Sequence, residues 1–224
     1  GWYTAYTPYQ AEISQGRLEA LINFQTMVCD LTGMQIANSS LLDEGTALSE
    51  AATMALNISK KRTEKNILLV DENSYPQSLS VLKTRMKQLG VEVMTLCLES
   101  ELENFGEKES VIAVTAQSPD RYGKILDLES IFSKAKDMDA LSLAASDLLF
   151  STIHESAGAQ GADIVVGNSQ RFGVPLGFGG PHAGFLATKD EYKRLLPGRI
   201  IGLSKDAQGE AAYRLALQTR EQHI

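Results

Sequence analysis

The residues whose types and spacing could do chemistry fall in three stretches. Residues 170–185 read QRFGVPLGFGGPHAGF, with glycines at 173, 177, 179 and 180 and a cation, Arg171, just upstream. A run of this kind lets backbone approach something closely or turn through positive φ. It is not a phosphate-binding P-loop, because no Gly-Lys pair occurs in it. Nor is it a dinucleotide fingerprint, because Pro181 and Ala183 break the register and an apolar strand follows. Two readings stay open: a tight crossover loop with no ligand, or a loop abutting a cofactor or a partner chain. The second stretch, LLDEGTALSEA, puts Asp43, Glu44 and Gly45 where a loop enters a helix. Free N–H groups there could hold a phosphate, but two adjacent carboxylates oppose one, so the stretch reads first as a capped helix start. The third, YTAYTPYQAE, clusters Tyr3, Tyr6, Tyr9, Thr4, Thr7, Gln10 and Glu12 ahead of a helix, as a surface-packed arm or an active-site segment.

Other reactive types are scarce. His154, His182 and His223 lack metal-ligand spacing. Cys29 and Cys97 lie far apart in apolar surroundings and read as buried thiols in a reducing compartment. The net charge of -7 over 224 residues argues against a nucleic-acid groove. The longest basic run, Lys60 to Arg62, sits at a predicted helix end, where it complements the helix dipole. No segment approaches the ~20 apolar residues of a membrane span, and the first residues do not form a signal peptide.

The elements that must position these residues follow from periodicity. Apolar residues from Leu18 to Leu31 recur at helical spacing over 15–32, and Gly33 stops them. A second helix is predicted from about 46 to 62, capped by Asp43 or Thr46. Then short apolar runs alternate with helical segments. NILLVDE is a strand, and Pro76 opens a helix that Gly90 ends. VEVMTLCL and SVIAVTAQS are strands, ILDLESIFSKAKDM is a helix, and ALSLAAS and GADIVVGN are strands. AGFLATKDEYKRLL reads as a strand then a helix, and LALQTREQHI as an unfinished helix. Such alternation predicts an α/β fold with a mostly parallel sheet flanked by helices, in one domain spanning 1–224. The start at Gly1 and the unfinished last helix predict a piece of a longer chain.

Several strings, taken together, resemble the P-protein family of the glycine cleavage system, the pyridoxal-phosphate-dependent glycine decarboxylases. They are YTAYTPYQAEISQGRLEALINFQTMVCDLTGM, SLLDEGTALSEAA, GADIVVGNSQRFGVPLGFGGPHAGFLAT and SKDAQGEAAYRLALQTREQHI, in the family's order. The resemblance implies the large domain of a fold-type-I pyridoxal-phosphate-dependent transferase, from the N-terminal half or alpha subunit. An upstream segment, a small domain and a catalytic C-terminal half would lie outside the chain. It also implies the reaction. Glycine is decarboxylated on pyridoxal phosphate, which serves as electron sink, and its aminomethyl group passes to the lipoyl arm of the H-protein. The implied partners are the C-terminal half or beta subunit, the lipoylated H-protein and glycine, with neither nucleic acid nor membrane. The implied location is bacterial cytoplasm, or the mitochondrial matrix in a eukaryote.

The family's catalytic lysine lies in the C-terminal half, in a string of the type His-Lys-Thr-Phe-x-x-Pro-x-Gly-Gly-Gly-Gly-Pro. Aligned from Phe172, that string puts Gln170 at the lysine; counted forward from Gly161, it puts Arg171 there. Neither can form a Schiff base, since an amide nitrogen is not nucleophilic and a guanidinium stays protonated. The aspartate that partners the pyridine nitrogen falls at Ala144, and Asp147, three residues on, is expected to turn off the strand's direction. No catalytic residue is therefore expected in this half, and no covalent cofactor on this chain. Pyridoxal phosphate would be bound mainly by the other half, with Tyr6, Thr7, Gln10 and Glu12 reaching its pocket. Two alternatives remain: a scaffold half with no cofactor contact, and a self-contained aminotransferase-like enzyme that would need Lys189 or Lys205 as its Schiff base.

Overall fold

A computed structural model of the chain describes residues 11–59 and 66–217. Four helices, α1 (Gln15–Thr32), α2 (Glu44–Ser59), α3 (Pro76–Gln88) and α4 (Leu128–Asp137), surround a sheet of seven strands. These are β1 (Ile36–Ala37), β2 (Ile67–Asp71), β3 (Glu92–Leu96), β4 (Val111–Ser118), β5 (Leu141–Ser146), β6 (Ile164–Asn168) and β7 (Gly184–Thr188). Their order is β1-β7-β6-β5-β4-β2-β3. The five strands from β3 to β6 run parallel, while β7 and β1 close the far edge antiparallel to their neighbours. A separate ribbon pairs β8 (Ile200–Lys205) with β9 (Ala211–Leu217).

The sheet is apolar on both faces because helices cover both, which is why its central strands read as unbroken hydrophobic runs. Ile67, Val114, Ala144 and Val165 pack toward α1 and α4. Their alternate neighbours Leu68, Ala113, Leu143 and Val166 pack toward α2 and α3. This parity decides which polar residues meet where the parallel strands end. The helix limits match their sequence signals: Gly33 closes α1 in the left-handed region at φ 70, and Pro76 opens α3.

Two expectations fail. After β7 the segment Asp190–Leu195 is a 3-10 turn rather than an α-helix. Its charged run has few apolar positions to bury, and Pro197 follows closely. Residues 215–217 belong to β9, not to a helix, because the AAYRLAL segment pairs with IIGLSK. Residues 218–224 lie outside the described residues, as do Lys60, Lys61 and Arg62.

The ribbon is held to α1 by side-chain amides that imitate a neighbouring strand. Gln25 Oε1 accepts from Ile201 N at 2.8 Å, and its Nε2 donates to Ile201 O at 3.2 Å. Gln15 treats Tyr213 the same way, at 2.8 and 3.0 Å, and Glu12 Oε1 accepts from Leu215 N at 3.3 Å.

Candidate functional site

Where three parallel strands end, each leaves one polar side chain on the α2–α3 face: Gln117 on β4, Asp147 just past β5 and Asn168 on β6. All three line a cavity of about 330 Å³. The order in which the chain lays down its parallel strands reverses between β2 and β4, and in open α/β sheets ligands bind beyond the strand ends at such a switch. The first turn of α2 supplies Asp43 and Glu44, and the start of α3 supplies Tyr75. The glycine loop brings Gln170, Arg171 and His182 over the opening.

The loop is ordered from within. Asn168 Oδ1 accepts from the amides of Gln170 (2.9 Å) and Ala183 (3.1 Å), joining its two ends. Asn168 Nδ2 lies 2.7 Å from His182 Nδ1, and His182 Nε2 lies 3.1 Å from Gly179 O. This network assigns the ring proton to Nε2, because Nδ1 must accept and Nε2 must donate. Gln170 spends its amide on Pro181 O at 2.6 Å. Arg171 forms an ion pair with Asp147. Gly173, Gly177 and Gly179 have φ of 114, 46 and 105, and a Cβ at any of them would meet open space. These glycines serve backbone conformation rather than close packing. Phe178 (φ 62) and Leu176 stand exposed at the loop's tip.

The helix entrance is capped as expected: Asp43 Oδ1 accepts from Thr46 N at 2.7 Å. Glu44 is the unusual group. Burial raises its carboxyl from 4.5 to about 7; the Gln117 amide offsets part of this and Asp43 adds to it. Yet Glu44 Oε1 and Gln117 Oε1 are both buried without a hydrogen-bond partner. A carboxyl whose folded pKa lies above its unfolded value stabilises the fold fully below about pH 4.5 and loses that contribution as pH rises through 7. Burial raises Asp71 as well, in the same sense at lower pH. Urea denaturation of the chain should therefore show stability falling by about 2 kcal/mol between pH 5 and 8. Glu44→Gln should flatten most of that fall, and an equal slope in both proteins would refute the assignment.

The other sequence-derived positions are dispersed. Ala144 is buried on the opposite face, among the α1–α4 contacts. Asp147 is out of phase with Ala144, as a shift of three predicts, and lines the cavity on the face of Leu143 and Ala145. Lys189 pairs with Asp163, which precedes β6, so it sits at the end of the sheet opposite the cavity. Lys205 lies on the ribbon, in a hollow it shares with Glu12 and Arg214. Tyr6, Thr7 and Gln10 lie outside the described residues, as does His223. Cys29 and Cys97 are free, and burial pushes the Cys29 thiol up to about 11, leaving it inert. Among the described residues no group of His, Cys, Asp and Glu could hold a metal, and no helix is long and apolar enough to cross a membrane.

Sequence reasoning passed over Gln117, Asn168, Tyr75 and His182. A signal existed for the first two: a polar residue directly ends each apolar strand run, in the same parity as Asp147.

The sheet, with its parallel core and antiparallel β7, defines the large domain of a fold-type-I pyridoxal-phosphate-dependent enzyme. A cystathionine gamma-lyase from Lactobacillus plantarum superposes with a TM-score of 0.63 at 15% identity, over 87% of this chain and 50% of its own, a likeness of fold alone. The model of the glycine cleavage system P-protein family matches residues 1–224, and the chain belongs to that family. It is 55% identical over 223 residues to the glycine dehydrogenase (decarboxylating) of Bdellovibrio bacteriovorus, covering all of this chain and 23% of that protein. The mitochondrial protein of the same name from Dictyostelium discoideum is 53% identical over 224 residues, covering all of this chain and 22% of that protein. A crystal structure of glycine decarboxylase (P-protein) in inhibitor-bound form superposes with a TM-score of 0.88 at 40% identity, over 97% of this chain and 49% of that one. The chain thus spans about a quarter of the curated relatives it matches.

The cavity's own residues do not fit pyridoxal phosphate. No lysine is among the described residues that line it. The α2 N-terminus, where a phosphate would be held, presents Asp43 and Glu44 and has one amide already capped. The one guanidinium at hand is paired with Asp147.

Proposed function

We propose that this chain is the side of a glycine dehydrogenase (decarboxylating) that lacks the Schiff-base lysine. In the longer protein, glycine loses its carboxylate on pyridoxal phosphate carried by a lysine outside residues 1–224, and the aminomethyl group passes to the lipoyl arm of the H-protein. The observation that carries this reading is a whole-chain match to the P-protein family combined with a strand-end cavity whose donors do not suit the cofactor. The self-contained enzyme is disfavoured by the positions of Lys189 and Lys205, neither of which lines that cavity. The exposed Leu176 and Phe178 at the glycine loop support contact with the rest of the longer protein there. On this reading the Tyr6–Thr7 segment, with Gln10, reaches the cofactor pocket of the other half, and Glu12, whose carboxylate accepts from Leu215 N, anchors the base of that segment to the ribbon. The protein works in bacterial cytoplasm, or in the mitochondrial matrix of a eukaryote.

Borohydride reduction of the full-length protein loaded with pyridoxal phosphate, followed by peptide mapping, tests the proposal. The label is expected on a lysine outside these residues, and a label on Lys189 or Lys205 sinks the reading. In the same preparation Tyr6→Phe should lower carbon dioxide release from glycine at least tenfold. An unchanged rate would leave this half as a scaffold without cofactor contact.

A further inference from the structure

We propose that the cavity at the ends of β4, β5 and β6 is a binding site for an ammonium group, of a free small amine or of a lysine side chain from elsewhere in the longer protein. The argument is one of unmet hydrogen bonds and charge. Gln117 is 2% exposed, lines the cavity and has a carbonyl oxygen with no partner. Glu44 Oε1 is the second buried acceptor without a partner in the same cavity. Buried polar atoms in folded proteins are nearly always paired, so two acceptors left open call for a donor that the described residues do not supply.

The charges agree. The lining carries Asp43, Glu44 and Asp147 against one cation, Arg171, which already faces Asp147. Both ring nitrogens of His182 are already engaged, by Asn168 and by Gly179 O. Tyr75 adds a hydroxyl. An anion entering here would meet carboxylates at the helix N-terminus that should have attracted it, whereas an ammonium finds charge-assisted acceptors. Val81 and Gly45 give an apolar wall that fits a short alkyl chain beside it. A site that the fold could have used for a phosphate-bearing cofactor is thereby turned to the opposite charge.

Ammonium binding also moves a proton. A cation beside Glu44 lowers its carboxyl pKa. Near pH 7, where Glu44 is part-protonated, binding should release roughly half a proton. Asp43, Asp147, Arg171, His182 and Tyr75 face the same space.

The test is calorimetric titration of the full-length, pyridoxal-phosphate-loaded protein with dimethylammonium chloride, a secondary amine that cannot form a neutral imine with the cofactor. Millimolar binding is expected at pH 7, with a heat that varies with the buffer's ionisation enthalpy. Glu44→Gln should weaken it about tenfold and abolish the buffer dependence; Gln117→Leu should weaken it with the buffer dependence retained. Inorganic phosphate should not compete. If the wild type binds no amine, a crystal structure of the full-length protein should show a lysine Nζ within hydrogen-bond distance of Glu44 and Gln117, which supports the second source. Binding that Glu44→Gln leaves unchanged overturns the proposal. So does a cavity holding neither amine nor lysine, with Glu44 simply sharing its proton with Gln117. The cofactor's absorbance should be the same in wild type and Glu44→Gln. A shift there counts against placing the cofactor outside this chain, and leaves the ammonium site to be judged on the titration.

Discussion

Gly167→Ala is expected to destabilise the fold by at least ~3 kcal/mol. A Cβ at this position on β6 would lie 2.1 Å from Ser146 O and 2.8 and 2.9 Å from ring atoms of Phe185. Carbon contacts settle near 3.5 Å, so the strand, the carbonyl or the ring must move. Ser146 O belongs to the neighbouring strand, and Phe185 is fully buried. Overpacking a rigid core costs up to ~3 kcal/mol, and displacing strand backbone adds to that, against a total stability of ~5–15 kcal/mol. The carbonyl is the decisive obstacle, because Phe185→Leu removes the clashing ring atoms but leaves Ser146 O in place. The double variant should therefore be no more soluble than Gly167→Ala alone. A melting temperature of Gly167→Ala within a few degrees of wild type would show that β6 can shift. The site would feel the change too, since Asn168 is the next residue and joins both ends of the glycine loop.

Gln25→Leu carries the second large effect, about 3 kcal/mol. Leucine fills nearly the same volume, so the loss is one of pairing. Ile201 N and O lose their partner, as does the Ser39 hydroxyl, which donates to Gln25 Oε1 at 2.8 Å. All three residues are buried, and each orphaned group costs ~1–3 kcal/mol, reduced where water can reach it. Gln15→Leu makes the parallel change at a part-buried place and should cost under ~1 kcal/mol. Hydrogen exchange separates local from global loss. In Gln25→Leu the Ile201 amide should exchange well before those of β4 and β5, and retained protection there would contradict this account.

Much of the fold was legible because local signals and burial agreed. Gly33, Asp43, Pro76 and Gly90 punctuate helices whose apolar periods face a doubly covered sheet. The ribbon was not legible. IIGLSK and AAYRLAL owe their pairing to each other and to amides some 180 residues earlier, a relation no local window contains. The antiparallel turn of β7 was hidden as well, since its sequence reads like any buried strand. For the site, the absence of a lysine from the glycine loop was legible, whereas the presence of Asp147 in the cavity, on the face opposite Ala144, was not. Spacing measured through a loop does not preserve the phase of a strand, and phase decides which face a side chain joins. Glu44 was visible as a residue but not as a buried acceptor, which only the convergence of Gln117 above it could reveal.

The amides that bind the ribbon to α1 have another consequence. A two-stranded ribbon has two open margins, and each is a template on which a foreign strand could grow. Here Gln25 occupies the outward-facing groups of Ile201 on one margin, while Gln15 and Glu12 occupy those of Tyr213 and Leu215 on the other. The same contacts that seat the ribbon therefore remove docking points for another polypeptide. A few side chains do what Lys, Pro or a bulge does in other sheets: they guard against edge-to-edge aggregation.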